Sequence, residues 1–414
     1  MKNTPFKPPS KKLILSVLSS SAFITGFTLT VIWLYLSNLD RLDVLYDSTS
    51  ASSAIAVIFG FTILSVLGFS ILIFSSSFIL ILIFTSYEKD LTIYNGIPHN
   101  FAITGLFNSL WLCIILSSSF FSYYYFELNG YLATSAFVII TVGFSFYITN
   151  KYIFKSKKNI SQSENSEDTK SLENKLTRIS LPLLLLAPAI VQILPLAFFL
   201  SQLDFTEGSS DFAQISLLTA VALTFSTLSI LPGTIYINEK KNGGVFHSIT
   251  IILISIPTTL VVFSLLFRPI PNMIINMTMN LSGISDWRIH HFYVEEKTYP
   301  HTMFNGLLWN TRFYQGVPNR FFITGISIFT LGNTKLICPT RISYARKESL
   351  KLTIDKPNDY SEKIKKLKHS AMDCIPFNKK DVTIWDSPMS DPIYYEKLKI
   401  DSNNSMLKIL HSLK

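Results

Sequence analysis

Apolar residues fill the first two-thirds of this chain in seven long blocks, and the pattern then breaks into short alternations. The blocks are 13–36, 54–84, 101–126, 131–149, 179–203, 212–237 and 245–267, and none contains Asp, Glu, Lys or Arg. A hydrocarbon core about 30 Å thick is crossed by about 20 apolar residues, so each block reaches the length of one spanning helix or comes close. In lipid only a helix satisfies the backbone N–H and C=O groups within one segment. Block 54–84 exceeds the length of one span but is too short for two with a turn, which predicts a tilted or projecting helix.

Beyond Pro269 and Pro271 the period shortens. Strands are expected at 288–295, 320–331, 335–338, 349–354 and 381–385, with Gly332-Asn333 turning a hairpin between the second and third. A helix is expected at 361–373 with Ser361 as its N-cap, and a short amphipathic helix at 406–413. The fold class is therefore an α-helical multi-pass membrane bundle of about seven transmembrane helices, followed by a small α+β extramembrane domain. The expected division is a four-helix unit over 1–154, a polar cytoplasmic linker over 155–178, a three-helix unit over 179–268 and a basic domain over 269–414. The two helical units differ in proline: Pro182, Pro188, Pro195, Pro232 and Pro257 all fall in the later three spans, where each removes a backbone hydrogen bond.

Charge gives the pattern a direction. Alternate loops hold Lys2, Lys7, Lys11 and Lys12, then Lys89, then Lys151, Lys155, Lys157, Lys158, Lys170, Lys175 and Arg178, and finally Lys240 and Lys241. The intervening loops hold only Arg41. Short cytoplasmic loops retain Lys and Arg, so the N-terminus is expected inside and the C-terminal domain outside, in the periplasm of a bacterial inner membrane. The first block is too long for a cleaved signal peptide and lacks an A-x-A site, so it is expected to stay as a signal-anchor. Nearly all of the net charge of +9 lies beyond residue 267. That suits an acidic partner or anionic headgroups.

Candidate chemistry is sparse. Cys338 and Cys374 are the two cysteines of the C-terminal region, and an oxidising compartment would pair them. Cys113 stands alone within a span as a small packing residue. Ser19, Ser20 and Ser21, Ser75, Ser76 and Ser77, and Ser117, Ser118 and Ser119 form three serine triplets, small hydroxyl residues that let helices approach closely. No G-x-x-x-G pair accompanies them. His290, His291 and His301 lack the spacing of a zinc site, and no P-loop, dinucleotide or G-x-S-x-G pattern occurs. No catalytic residue, cofactor site or metal site is assigned.

Trp and Arg dominate binding hot spots, so Trp287, Arg288, Trp309, Arg312 and Arg320 are the candidate partner-binding residues. The expected function is non-enzymatic: an inner-membrane protein, with the lipid bilayer as one partner, that binds a protein through its external domain. An immunity protein against a membrane-targeting toxin is one such role, and nucleic acid is not an expected partner. Two other classes fit the anatomy: a transporter or channel component built on the proline-broken spans, and a membrane-tethered sensor or enzyme whose external domain takes a ligand at Arg288, His290 and His291.

Overall fold

The computed structural model describes residues 16, 20–48, 52–88, 97–126, 129–155, 175–206, 208–239, 245–314, 317–356 and 358–386. Of the linker expected at 155–178, residues 156–174 lie outside them, as does the helix expected at 406–413, while 175–178 form the start of a helix. In chain order the main helices are α1 (Ser21–Leu39), α2 (Ser52–Ile73), α3 (Ser75–Ser86), α4 (Ile97–Phe126), α5 (Gly130–Thr149), α6 (Lys175–Leu184), α7 (Ala187–Val191), α8 (Ile193–Leu200), α9 (Asp211–Glu239), α10 (Val245–Leu266), α11 (Pro269–Leu281), α12 (Ile342–Ser349) and α13 (Asp359–Ala371). The strands are β1 (Leu203–Asp204), β2 (Asp286–Glu295), β3 (Arg320–Leu331), β4 (Thr334–Cys338), β5 (Leu352–Thr353), β6 (Ile375–Asn378) and β7 (Val382–Ile384).

Six helices among the described residues are long and apolar enough to cross a membrane. A seventh is reached only if Thr250–Leu266 and Pro269–Leu281, interrupted at Phe267 and Arg268, count as one span. The chain is thus mostly helical, with a C-terminal α/β region, and its apolar helices are consistent with a membrane protein. The long second block is a correction: it is two helices, α2 and the short apolar α3, separated at Phe74. α11 and α12 are helices that the periodicity does not announce. Their patterns are short and follow or contain breaks that periodicity reads as loop.

Contacts divide the chain into two compact units. One comprises the described residues of Met1–Ser65, Pro271–Leu350 and Asn358–Lys414, and the other those of Val66–Ile270 and Lys351–Pro357.

The first unit carries a five-stranded antiparallel sheet in the order β6-β4-β3-β2-β7. The Gly332-Asn333 hairpin forms as the sequence predicts, with Gly332 at φ 61°, a backbone region open to glycine. α1 belongs to this unit. Val31, Ile32, Tyr35, Leu36 and Leu39 are buried in one core with Ile326, Ile328, Phe329, Leu367 and Ala371. The Tyr35 hydroxyl donates to the Ile328 carbonyl at 2.6 Å. A second core gathers Phe292, Val294, Phe304, Trp309, Phe321, Ile323 and Phe377. α13 begins two residues before the position predicted, and Ser361 lies within its first turn, donating to the Asn358 carbonyl instead of capping. The Cys338 and Cys374 sulfur atoms stand at disulfide-bonding distance, 2.01 Å.

The second unit is a helical bundle in which α3, α4 and α9 meet closely. Leu80, Phe84, Phe101, Leu181, Leu185, Ile230 and Ile237 form its main apolar core. Several of its buried polar groups pair across helices. Ser76 and Ser229 share a 2.9 Å hydroxyl contact, and Cys113 meets Ser226 at 2.8 Å. Asn108 donates to Ser145 and to the Leu185 carbonyl, and Ser145 donates to the Pro182 carbonyl. β1 pairs in parallel with β5 in this unit, Leu203 opposite Leu352 and Asp204 opposite Thr353.

Candidate functional site

Strand alternation builds the site. Successive residues of β2 point to opposite faces: Phe292 and Val294 enter the aromatic core, fully buried, while His291 and Tyr293 stay partly accessible. Register with β3 sets His291 opposite Thr324, Tyr293 opposite Phe322 and Glu295 opposite Arg320. Arg312 joins this face because its backbone exchanges two 2.8 Å hydrogen bonds with Phe322. At the other edge, the Trp385 N–H donates to the His291 carbonyl at 2.7 Å.

The side chains so assembled are cationic and aromatic. The Tyr293 ring lies 6.1 Å from Trp385, and Tyr314 lies 4.8 Å from Phe322, both edge-on. The Arg320 guanidinium sits 4.9 Å over the Tyr293 ring and 3.6 Å from Glu295. Trp385 is 43% exposed.

Arg312 is the unusual member. Its Nη2 donates to His291 Nδ1 at 2.5 Å and to the Thr324 hydroxyl at 2.9 Å, and Asn310 reaches the same hydroxyl at 3.3 Å. Its Nε is buried and has no hydrogen-bond acceptor among the described residues. No carboxylate among them pairs with it. Burial, and then the Arg312 charge, push the His291 pKa below the usual histidine value. A neutral His291 accepting at Nδ1 is the form that the guanidinium requires.

The rim of this face is a chain of ion pairs. Asp286 accepts from Arg288 Nε at 3.0 Å and Nη2 at 2.8 Å, and faces His290 Nε2 at 3.0 Å. Asp386 meets His290 Nδ1 at 2.7 Å and accepts from the His291 backbone N–H at 2.9 Å. Hydrogen bonds from Arg288 hold the Asp286 carboxyl well below the usual carboxylate range, against a smaller opposing effect of burial. For Asp386 burial opposes the shift, and the His291 N–H and His290 ring together overcome it and lower the pKa. No hydroxyl or thiol among the described residues bonds to His290. No group of three or more His, Cys, Asp or Glu among them is arranged to hold a metal.

The residues singled out from sequence fall in three places. Arg312 and Arg320 stand on the face and Arg288 on its rim. Trp287 is partly buried, with the Arg346 guanidinium 4.2 Å above its ring. Trp309 is 2% exposed and packs edge-on against Phe304 in the core. Trp385, which the sequence offers with Trp287 and Trp309 as a core or interface anchor, stands on the face, and Tyr293, Tyr314, Phe322 and Thr324, which it does not offer, join it there. The alternation of 288–295 marks Tyr293 as outward, but the partners across the strands depend on register, which that alternation does not supply.

Comparison of the chain with protein-family models, with curated proteins and with solved structures gives no match.

Proposed function

We propose that this chain is a non-enzymatic protein of the bacterial inner membrane, held by a retained signal-anchor, that binds a protein partner through the cation–aromatic face of its periplasmic α/β region. The observation that carries the reading is Arg312. A half-buried guanidinium without a counter-ion is costly, and an acidic side chain of a partner would complete it. The surrounding Tyr, Trp and Arg are the residue types that anchor interfaces and exclude water around a central charge. The periplasmic side is supported by contacts within each unit. Arg41, in the first loop assigned to the outside, bonds to the α/β region, and β1, after α8, pairs with β5.

The role that suits such a protein is protection against a membrane-targeting toxin, met by the external face as it arrives. The test is co-culture of the source strain with its own deletion mutant. The reading expects the mutant to be outcompeted, rescue by the full chain, and failed rescue by Arg312→Glu and by the exposed-site variant Trp385→Ala at equal membrane levels. A fully resistant mutant contradicts protection. Rescue by both variants contradicts the face.

A transport role is the second reading, and Gln192 favours it. This side chain is 2% exposed at the junction of α7 and α8, and neither amide atom has a hydrogen-bond partner among the described residues. A buried amide left unpaired costs about 1–3 kcal/mol, and a polar permeant or water would relieve it. Broken helices are where such sites form. This reading expects solute flux in proteoliposomes that Gln192→Leu abolishes without lowering thermal stability. Unchanged flux in that variant contradicts it.

A further inference from the structure

We infer that the cleft between α12 and α13 binds the phosphate headgroup of an anionic phospholipid. The cleft encloses about 660 Å³ and is lined by Arg341, Tyr344, Lys363, Lys365, Lys366 and His369. Two carboxylates, Glu348 and Asp359, also reach its wall. Asp359 is held by Lys363 at 3.1 Å, one turn along the same helix, and Arg341 is held by Asp373 outside the cleft. Lys365 and Lys366 are exposed and form no ion pair with any described residue. A cleft with two uncommitted ammonium groups and a histidine beside them suits a phosphate.

Position selects a lipid as the source of that phosphate. α13 is tied at one end, through Asn272, to the last turn of α1, an apolar helix of spanning length, and at the other to Arg41 in the loop just after it. Near its start, the Tyr360 hydroxyl accepts from Asn272, whose side-chain oxygen accepts from Asn38 at 2.7 Å. At its end, Arg41 donates to the carbonyls of Ala371 and Cys374 at 3.2 and 2.6 Å. A helix of 13 residues is about 20 Å long. Both of its ends are therefore anchored beside the last turns of that apolar helix, against which Leu367 and Ala371 also pack, and a bilayer crossed by α1 would bring its headgroups to the level of the cleft. Leu367 and Ala371 face the core, leaving Lys365, Lys366 and His369 on the open side. Tyr344, 71% exposed, gives the cleft mouth an amphipathic ring of the kind enriched at that level.

The test is native mass spectrometry of the full chain in neutral detergent, titrated with phosphatidylglycerol, phosphatidylcholine or glycerol 3-phosphate. Phosphatidylglycerol is expected to bind at least about tenfold tighter than either of the others. Lys365→Gln/Lys366→Gln should weaken it by about thirtyfold, at roughly a factor of five per lysine near a charged lipid surface. The control Lys297→Gln/Lys379→Gln removes two exposed charges elsewhere on the same unit and should leave binding within about twofold. Thermal melting in detergent without anionic lipid reports whether the variants are folded. Unchanged binding by a folded Lys365→Gln/Lys366→Gln chain overturns the inference, as does an equal loss in the control. Glycerol 3-phosphate binding as tightly as the lipid also overturns it, since the ligand would then be a soluble phosphate.

Discussion

Arg41 is the only Lys or Arg in the loops that charge asymmetry assigns to the outside, and it is almost fully buried. Its guanidinium donates to the carbonyls of Ala371 and Cys374 at the end of α13 and forms a fork with Asp43 at 2.9 and 2.7 Å. The Ala371 carbonyl ends α13 and the Cys374 carbonyl lies just past it, so a cation there meets the negative end of the helix dipole. Arg41→Met should therefore lower the stability of the α/β region by about 3 kcal/mol, since hydrogen bonds to a charged group contribute about 1.5–3 kcal/mol each and the two losses overlap. Urea titration followed by the fluorescence of the Trp residues in that region checks this, and an unchanged midpoint would contradict it.

His291 sets a pH window at the same scale. Its pKa is lower in the folded chain than the value of about 6.5 for an unfolded one. The folded state then binds fewer protons, so stability is intact above about pH 6.5 and falls as pH drops through the interval down to the folded pKa. Asp286 and Asp386 are shifted down as carboxylates, and their contribution is lost only below about pH 4. The expected result is a melting temperature that falls between about pH 7 and pH 5, with a smaller fall in Arg312→Gln because the charge that lowers the His291 pKa most is removed. An identical fall in that variant would contradict the pairing. At this scale the sequence offers Arg312 and Arg320 as partner-binding candidates, and the structure sets both beside the outward side chains of β2. The sequence leaves Trp309 as either a core or an interface anchor, because a lone Trp ending a four-residue helix has no periodicity to assign its face.

Between elements, the α3–α9 crossing shows how two interrupted helices satisfy each other. Pro232 has no N–H to give the preceding turn of α9. One residue on, the Gly233 N–H goes to the Ser77 hydroxyl at 3.0 Å, and that hydroxyl donates to the Ser229 carbonyl at 2.7 Å. Ser77 is thus inserted into the helix ladder of α9 at its proline. In return, the Ser229 hydroxyl donates to the Ile73 carbonyl at the α2–α3 break. Close approach is what permits this. A Cβ on Gly233 would lie 2.9 Å from the Ser77 carbonyl oxygen, a backbone atom that cannot rotate away.

Gly233→Leu should destabilise the bundle by about 1–3 kcal/mol or more, whereas Gly26→Leu, with nothing within 4 Å of the added Cβ, should be neutral. Ser77→Ala should cost about 1 kcal/mol. Thermal melting in detergent reads all three, and equal effects at the two glycines would contradict the packing. The serine triplet and the prolines were visible in the sequence as separate features. Their union was not, because the small-residue pair involved is Ser229 and Gly233, which a search for two glycines passes over. The break at Phe74 has no Pro or Gly to announce it.

Over the whole molecule, composition and block length convey most of the architecture: apolar helices first, then an α/β region with its main hairpin in the expected place. Long-range grouping was not legible. Tyr35 meets Ile328 across 293 residues, and nothing in a local pattern ties the first apolar block to a strand so distant. The contacts of Arg41 with α13, and of β1 with β5, join two of the Lys- and Arg-poor loops to the C-terminal region. They suit an external α/β region whose Cys338 and Cys374 are oxidised. The most direct measurement of that claim is a pair of reporter fusions after Lys414, one enzyme active only outside the cytoplasm and one protein fluorescent only within it. The account expects enzyme activity and no fluorescence. Fluorescence without enzyme activity would place the region in the cytoplasm, where the two thiols would be reduced and the face at Arg312 could not meet a partner arriving from outside.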